Sequence, residues 1–390
     1  MRAVARPSPA RTLAICGGVH ALHDGFTDLL NVLYPILQAQ FGLSYAAIGA
    51  LKAVYSGAMA SGQIPSGWLA GPLGNVTVLA AGSAAVALGY GIAGLTGSVL
   101  GVVIGLLLAG LGGSTQHPIA SALVSSAHPG ARSRAALGTY NFTGDIGKVA
   151  LPAAFALVAS AFGWTQALIV TAVVAIASAA TVIVVLKQPA PIADEASGAA
   201  GQIEGHDRPA AFWLLFFIHI ADSLVRTGFL IFLPFLLRQK GADLPTIGLA
   251  LSLLFAGGAA GKLAMGWLGE RLGVVISVVL TEGATTALIF ALLPLSVSAA
   301  LVLLPLVGLM LNGTSSVLYG TVPEFVTAEK RTHAFAVFYT GGSVAGAGGP
   351  VLFGLLGDAV GLVPTMAVVA CVALVTVPMV WALRPAFNAT

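Results

Sequence analysis

The chain has 390 residues and a formal net charge of +3, with 8% of residues charged, 57% hydrophobic, 49 glycines and 20 prolines. Its mean hydropathy is +0.96. A soluble fold needs far more polar surface than this composition supplies, so the sequence predicts an integral membrane protein. The positive charges are scattered and form no basic face, which excludes nucleic-acid binding as a main role. Cys16 and Cys371 lie in apolar runs and indicate neither a disulfide framework nor a cysteine-based metal site.

A helix needs about 20 mostly apolar residues to cross the hydrocarbon core. Runs of that size fall near 12–37, 46–69, 76–96, 99–122, 134–159 and 164–186, numbered spans 1 to 6. Spans 7 to 12 fall near 211–237, 246–268, 274–294, 299–321, 333–356 and 362–383. Arg2, Arg6 and Arg11 ahead of span 1 resemble the start of a secretory signal. His20, His23, Asp24 and Asp28 interrupt the apolar stretch behind them, so a retained first span is expected. The expected organisation is a six-helix half over 1–186, a polar linker over 187–210 and a second six-helix half over 211–390.

Positive charges set the expected orientation. With the N-terminus inside, Arg2, Arg6, Arg11, Arg132, Arg134, Lys187, Arg208, Arg271, Lys330, Arg331 and Arg384 fall on the cytoplasmic side. The external loops hold only Arg238 and Lys240. Both termini are therefore expected in the cytoplasm, in the cell inner (plasma) membrane.

The two halves repeat each other at an offset of 199 residues. His20 meets His219, Pro35 meets Pro234, Gly42 meets Gly241, and Ile48-Gly49 meets Ile247-Gly248. Gly67-Trp68-Leu69 meets Gly266-Trp267-Leu268, and Leu73-Gly74 meets Leu272-Gly273. The same offset pairs Arg132 with Arg331, Tyr140 with Tyr339 and Gly147 with Gly346. Parallel repeats about an axis along the membrane normal are a transporter architecture.

The loop after span 8 reads Gly266-Trp267-Leu268-Gly269-Glu270-Arg271-Leu272-Gly273. With twelve spans, two repeated halves and a mid-chain linker, it resembles the major facilitator superfamily. That resemblance implies an all-α fold of twelve transmembrane helices and a cytoplasmic gate carried by Glu270 and Arg271. In the first half, Gly71 and Pro72 stand where this acid and arginine would be. His20-Ala-Leu-His23-Asp24-Gly and Phe41-Gly42-Leu43-Ser44 resemble the fosmidomycin-resistance group of exporters. The glycine-proline motif of drug–proton antiporters is not evident in span 5, and Gly346…Gly349-Pro350…Gly354 stands in span 11 instead.

Ionisable groups at bilayer depth are costly, about 2.5–3.5 kcal/mol each on insertion scales, so each marks a candidate site. In span 1, His20, His23, Asp24, Asp28 and Asn31 share one face of about 140°, expected to line the central cavity. Span 7 carries His219, Asp222 and Arg226 on one face. Span 5 carries Asp145 and Lys148, span 4 His117, and span 10 Asn312. Asp145–Lys148 and Asp222–Arg226 are also spaced as plain structural ion pairs. His117 could simply cap or hydrogen-bond. Lys52 and Lys262 are placed to snorkel, and Glu282 in span 9 reads as a structural partner. His20, His23 and Asp24 also suit a divalent ion, but the nearby basic residues would repel one, so no metal is expected.

These residues predict a proton-coupled secondary transporter rather than an enzyme. No phosphate-binding Gly-rich loop precedes Lys-Ser or Lys-Thr, so ATP is not the expected energy source and no cofactor is expected. Asp24 and Asp28 would repel if both were charged, and hydrocarbon penalises each, so they are drawn to bind a proton with help from His20 and His23. Arg226 and Lys148, with Asp222, His219, Asp145, Asn31, Asn312 and His117, are the expected contacts of a small organic anion. The expected partners are that solute, protons and lipid, with the chain acting as a monomer. Efflux is the leading direction and import of a metabolite anion the alternative; an intramembrane enzyme or signalling scaffold is the alternative of another class.

Overall fold

The computed structural model describes residues 7–129, 131–186, 207–327 and 330–387. Most of the linker expected at 187–210 lies outside the described residues, with Lys187, Asp194, Glu195 and Glu204. The described chain is all helical. Its first part comprises α1 (Pro9–Asp28), α2 (Leu30–Phe41), α3 (Tyr45–Leu73), α4 (Asn75–Thr96), α5 (Val99–Gly113), α6 (Gln116–Ala127), α7 (Ala131–Phe162) and α8 (Trp164–Leu186). The second comprises α9 (Pro209–Gln239), α10 (Leu244–Leu272), α11 (Val274–Leu292), α12 (Val297–Thr321), α13 (Arg331–Val360) and α14 (Leu362–Phe387). A 3-10 turn, Val322–Phe325, comes after α12.

Among the described residues, ten helical stretches are long and apolar enough to cross a membrane. Val99–Ala127 counts as one of them because α5 and α6 are separated only by Ser114 and Thr115. The α1–α2 stretch and α3 are not among the ten. His20, His23, Asp24 and Asp28 dilute the apolar content of α1, and α3 is rich in Gly, Ser and Pro. Large apolar side chains such as Leu95 and Phe162 in one unit and Val302 and Leu352 in the other are exposed, as a lipid-facing surface requires.

The described residues fall into two compact units. Unit 1 draws on Met1–Phe41, Val54–Ala196 and Leu244–Ser252; unit 2 draws on Gly42–Ala53, Ser197–Asp243 and Leu253–Thr390. The first turns of α3 and α10 are thus exchanged. In unit 2, the Asp358 carboxylate accepts from the backbone N–H groups of Tyr45 and Ala46, at 2.7 and 3.0 Å, where α3 begins. In unit 1, the Ser252 hydroxyl donates to the Val149 carbonyl. Helices in unit 1 also meet at backbone distance. A Cβ on Gly89 would stand 2.4 Å from the Gly105 carbonyl oxygen, and a Cβ on Gly105 equally close to the Gly89 oxygen.

The repeat is present in the folded units, but its register corrects the sequence expectation. Glycines with positive φ close loops at Gly42 and Gly241, and at Gly74 and Gly273, at the offset of 199. After α4 and α11 the offset becomes 198. Ser98 and Ser296 cap the next helices, and Gly163 and Gly361 again share a positive φ. One residue is therefore missing from the second-half loop, and the later identities Arg132/Arg331, Tyr140/Tyr339 and Gly147/Gly346 are one position out of structural register.

Candidate polar sites in the two units

In unit 1 the site grows from α1. Asp24 receives three basic side chains: His20 Nε2 at 3.3 Å, His117 Nε2 from α6 at 3.6 Å, and Lys148 Nζ from α7 at 3.2 Å. The Asp24 side chain is 13% exposed, Lys148 28% and His117 49%, so a buried acid is reached through more accessible bases. His20 is oriented by its other nitrogen, with Nδ1 2.8 Å from the Tyr140 carbonyl, and its ring stacks on Tyr140 at 4.3 Å. The Gln116 amide in turn donates to the Tyr140 hydroxyl at 2.6 Å. Gly144 makes room for the cluster: a Cβ there would lie 2.6 Å from Asp24 Oδ2 and 2.7 Å from His20 Nε2.

A carbonyl can only accept, so Nδ1 of His20 carries the proton that binds Tyr140. Nε2 then faces the Asp24 oxygen. Two lone pairs do not attract, so that contact also requires a proton, on the imidazole or on the carboxyl. The geometry sets the Asp24 carboxyl between that imidazole and the Lys148 ammonium.

The rest of the polar face of α1 runs along the helix. His23 Nε2 is 2.9 Å from the Ser83 hydroxyl of α4, Thr27 is 2.8 Å from the Tyr55 hydroxyl, and Asn31 donates to Asp28 at 3.3 Å. Asp28 therefore lies with Asn31, one turn beyond the Asp24 cluster. Asp145 is on α7, one turn before Lys148. One ring nitrogen each of His20 and His117 and an Asp24 oxygen lie within 4.8 Å of one another, a donor set that suits a divalent ion. The Lys148 ammonium already neutralises Asp24 and opposes a second cation there.

In unit 2, Arg226 reaches Asp222 at 3.6 Å and Ser223 at 3.3 Å, all on α9. Asp222 is 2% exposed, as is Glu282 of α11. His219 stacks on Phe338 at 4.2 Å, and its Nε2 is 3.4 Å from the Tyr319 hydroxyl. Asn312 stands apart from this cluster, its amide donating to the Gly308 carbonyl one turn earlier on α12. At the expected cytoplasmic gate, the Arg271 guanidinium lies 3.9 Å over the Trp267 ring. The Glu270 side chain lies outside the described residues.

Sequence reasoning placed His20 and Asp24 together on span 1, His117 on span 4 and Lys148 on span 5, and the structure joins them. It missed Gln116, Tyr140 and Ser83, and treated Glu282 as peripheral. One signal was available: Ser83 and the buried Glu282 are 199 residues apart, as are His23 and Asp222.

The family profile described as Major Facilitator Superfamily matches residues 16–219 and 212–389. The chain belongs to that superfamily. Solved structures share its fold at low sequence identity. A bacterial homologue of the human lysosomal transporter Spinster, in an inward-facing and occupied conformation, superposes with a TM-score of 0.83 at 15% identity. That match covers 99% of this chain and 98% of the other. A variant of the peptide transporter POT in complex with sulfate gives 0.79 at 13% identity, covering 97% and 94%. A variant of the nucleoside transporter NupG gives 0.79 at 14%, covering 97% and 99%. No curated protein matches the chain by sequence.

Proposed function

We propose that this superfamily member is a proton-coupled secondary transporter that moves a small organic anion by alternating access, and that it works in the direction of efflux. The observation that carries the coupling is the Asp24 cluster. Its His20 contact needs a proton, and Lys148 competes with that proton for the same carboxylate. Lys148 is also the first anion contact, so the proton and the solute act on the same ammonium. His23 and Asp28 continue the polar face and extend the proton path. Arg226, with Asp222 and His219, supplies the second anion contact, while Asp145, Asn31, Asn312 and His117 complete the solute's polar surroundings. The short resemblance of α1 to fosmidomycin-resistance exporters favours efflux over import.

In this reading α1–α2 and α3 also cross the bilayer, making twelve spans, and Glu270 and Arg271 gate the cytoplasmic side. The transporter acts as a monomer in the inner membrane with both termini in the cytoplasm. Cysteines introduced at positions 200 and 385 should then resist an external, membrane-impermeant reagent, and one at 240 should react.

Proteoliposomes test the coupling. A solute identified by thermal stabilisation of the purified protein should accumulate under an imposed pH gradient. Asp24→Asn mimics a permanently protonated carboxyl and should lose gradient-driven accumulation yet keep solute exchange at equal pH. Intact gradient-driven transport in Asp24→Asn and Asp28→Asn would remove both acids from the proton path.

A further inference from the structure

The groups around Asp24 have a second chemistry that the coupling scheme does not use. Two imidazoles and a carboxylate are what a borderline divalent ion such as Zn²⁺ takes as three protein ligands, with a fourth position left open. His20 is set up for that role. Its Nδ1 donates to the Tyr140 carbonyl at 2.8 Å, which in the neutral ring leaves the Nε2 lone pair facing Asp24 Oδ2 at 3.3 Å. Metal-bound histidines characteristically hold their second nitrogen in this way. An ion between Nε2 and the carboxylate resolves the same meeting of lone pairs that a proton does. Tyr140 also accepts at its hydroxyl from Gln116, so the residue that orients His20 fixes the turn carrying His117.

The spacing and the access fit as well. Ligand atoms about 2.0–2.2 Å from a tetrahedral zinc stand about 3.3–3.6 Å apart. The contacts of Asp24 with His20 and His117, 3.3 and 3.6 Å, already have that separation. His117 meets Oδ1, whereas His20 and Lys148 share Oδ2. The His117 side chain is 49% exposed, which gives the ion an entry path and the ring freedom to close on it. Lys148 is the obstacle, and it is a removable one. Its side chain is 28% exposed on a flexible stem, and Asp145 precedes it by three residues on α7, a spacing at which acid and lysine pair on a helix. In unit 2 the matching places hold His219, Ser223 and Ser315, so only the histidine of α1 has a counterpart there.

We propose that His20, Asp24 and His117 form a site for a zinc-class divalent ion, which binds in place of the Lys148 ammonium and joins α1 to α6. The ion takes the Asp24 carboxylate, and Lys148 turns to Asp145. Held there, it keeps proton and ammonium alike from Asp24, so the site is inhibitory. The binding stands on the geometry alone; the inhibition rests on the coupling role given to Asp24 above.

The test uses the full-length protein, free of any histidine tag, in phosphatidylcholine nanodiscs, with Co²⁺ as the visible probe and Zn²⁺ as its competitor. Wild type should bind one Co²⁺ with tetrahedral absorption bands, lose it to Zn²⁺, and melt at a higher temperature with Zn²⁺ present. His117→Ala should weaken binding more than about tenfold, and Lys148→Met should strengthen it by about tenfold, because the competing ammonium is gone. His333→Ala, an exposed histidine elsewhere, should change nothing. The site is refuted by the absence of saturable binding in wild type, by undiminished binding in His117→Ala, or by binding in Lys148→Met that is no tighter than in wild type. In proteoliposomes, Zn²⁺ should stop gradient-driven transport at the concentrations that raise the melting temperature. Tight binding without that block would overturn the inhibition and take Asp24 off the coupling path, while leaving the metal site in place.

Discussion

His20 and His219 occupy equivalent places in the two units, and their surroundings share one design. Each ring stacks on an aromatic side chain, Tyr140 or Phe338, and each Nε2 lies beside a glycine, Gly144 or Gly342, where a Cβ would intrude to about 2.7 Å. The charges around this shared frame differ. Where unit 1 has Asp24, His117 and Lys148, the matching places in unit 2 are Ser223, Ser315 and Gly346. Where unit 2 has Asp222, Glu282 and Arg226, the matching places in unit 1 are His23, Ser83 and Thr27. The packing frame repeats while the ionisable groups sit on different steps of it. One unit sets one acid against an ammonium and two imidazoles; the other sets Asp222 against one guanidinium and buries a second acid, Glu282, on α11.

The largest effect expected from breaking this contrast is at Asp24. Asp24→Asn leaves Lys148 without its carboxylate, and removing one partner of a buried pair costs about 3–5 kcal/mol. Partial exposure of Lys148 moves the expectation to the lower end. Adding Lys148→Met removes the stranded charge and should recover most of the lost thermal stability. Ser223→Ala, at the same place in unit 2, should change melting temperature little. Equal losses in Asp24→Asn with and without Lys148→Met would mean that the ion pair does not hold this part of the fold.

A smaller, sharper effect is expected from the paired glycines. Gly144→Ala and Gly342→Ala both overpack a histidine, at a cost of about 1–3 kcal/mol each. The structural penalties should match, but the functional ones should not. The alanine methyl at 144 also displaces the Asp24 carboxyl and should abolish gradient-driven transport, whereas at 342 it meets His219 and the Ser223 hydroxyl. Transport lost equally in both variants would place the coupling outside the Asp24 cluster.

Much of this contrast was legible in the chain. Helical spacing put His20, Asp24, Asp28 and Asn31 on one face of the first helix and His219, Asp222 and Arg226 on one face of α9. Hydropathy separated the spans, although the polar face of α1 and the small residues of α3 left those two below the apolar content of the other ten. What spacing cannot supply is the partner on another helix. Lys148 has Asp145 three residues away in sequence, yet its ammonium lies 3.2 Å from Asp24, because the approach of α7 to α1 is set by Gly144 and Gly147. The one-residue slip between the halves was hidden by chance identities. Tyr339 matches Tyr140 at the uniform offset, but Phe338 is the residue that stacks on the histidine.

The smallest expected effect lies at the exposed surface, where each half enters its first helix. Ser8 and Asp207 are 199 residues apart. The Ser8 hydroxyl accepts from the Arg11 N–H at 3.3 Å and caps α1. The Asp207 carboxylate instead accepts from the Lys330 ammonium and from the Thr327 N–H, and these two contacts hold its pKa below the usual carboxylate value. A depressed carboxyl stabilises the fold above its unfolded pKa, near 3.9, and that contribution disappears as pH falls through the folded value. Asp207→Asn should therefore lower melting temperature slightly at pH 6, and the gap to wild type should close progressively below about pH 4. The contact is exposed, so the gap should also shrink in high salt. Ser8→Ala removes an uncharged cap, costs about 1 kcal/mol, and should do so at either pH. A gap for Asp207→Asn that persisted undiminished at pH 3 would show that its side chain acts through packing rather than charge, and the starts of α1 and α9 would then differ in composition alone.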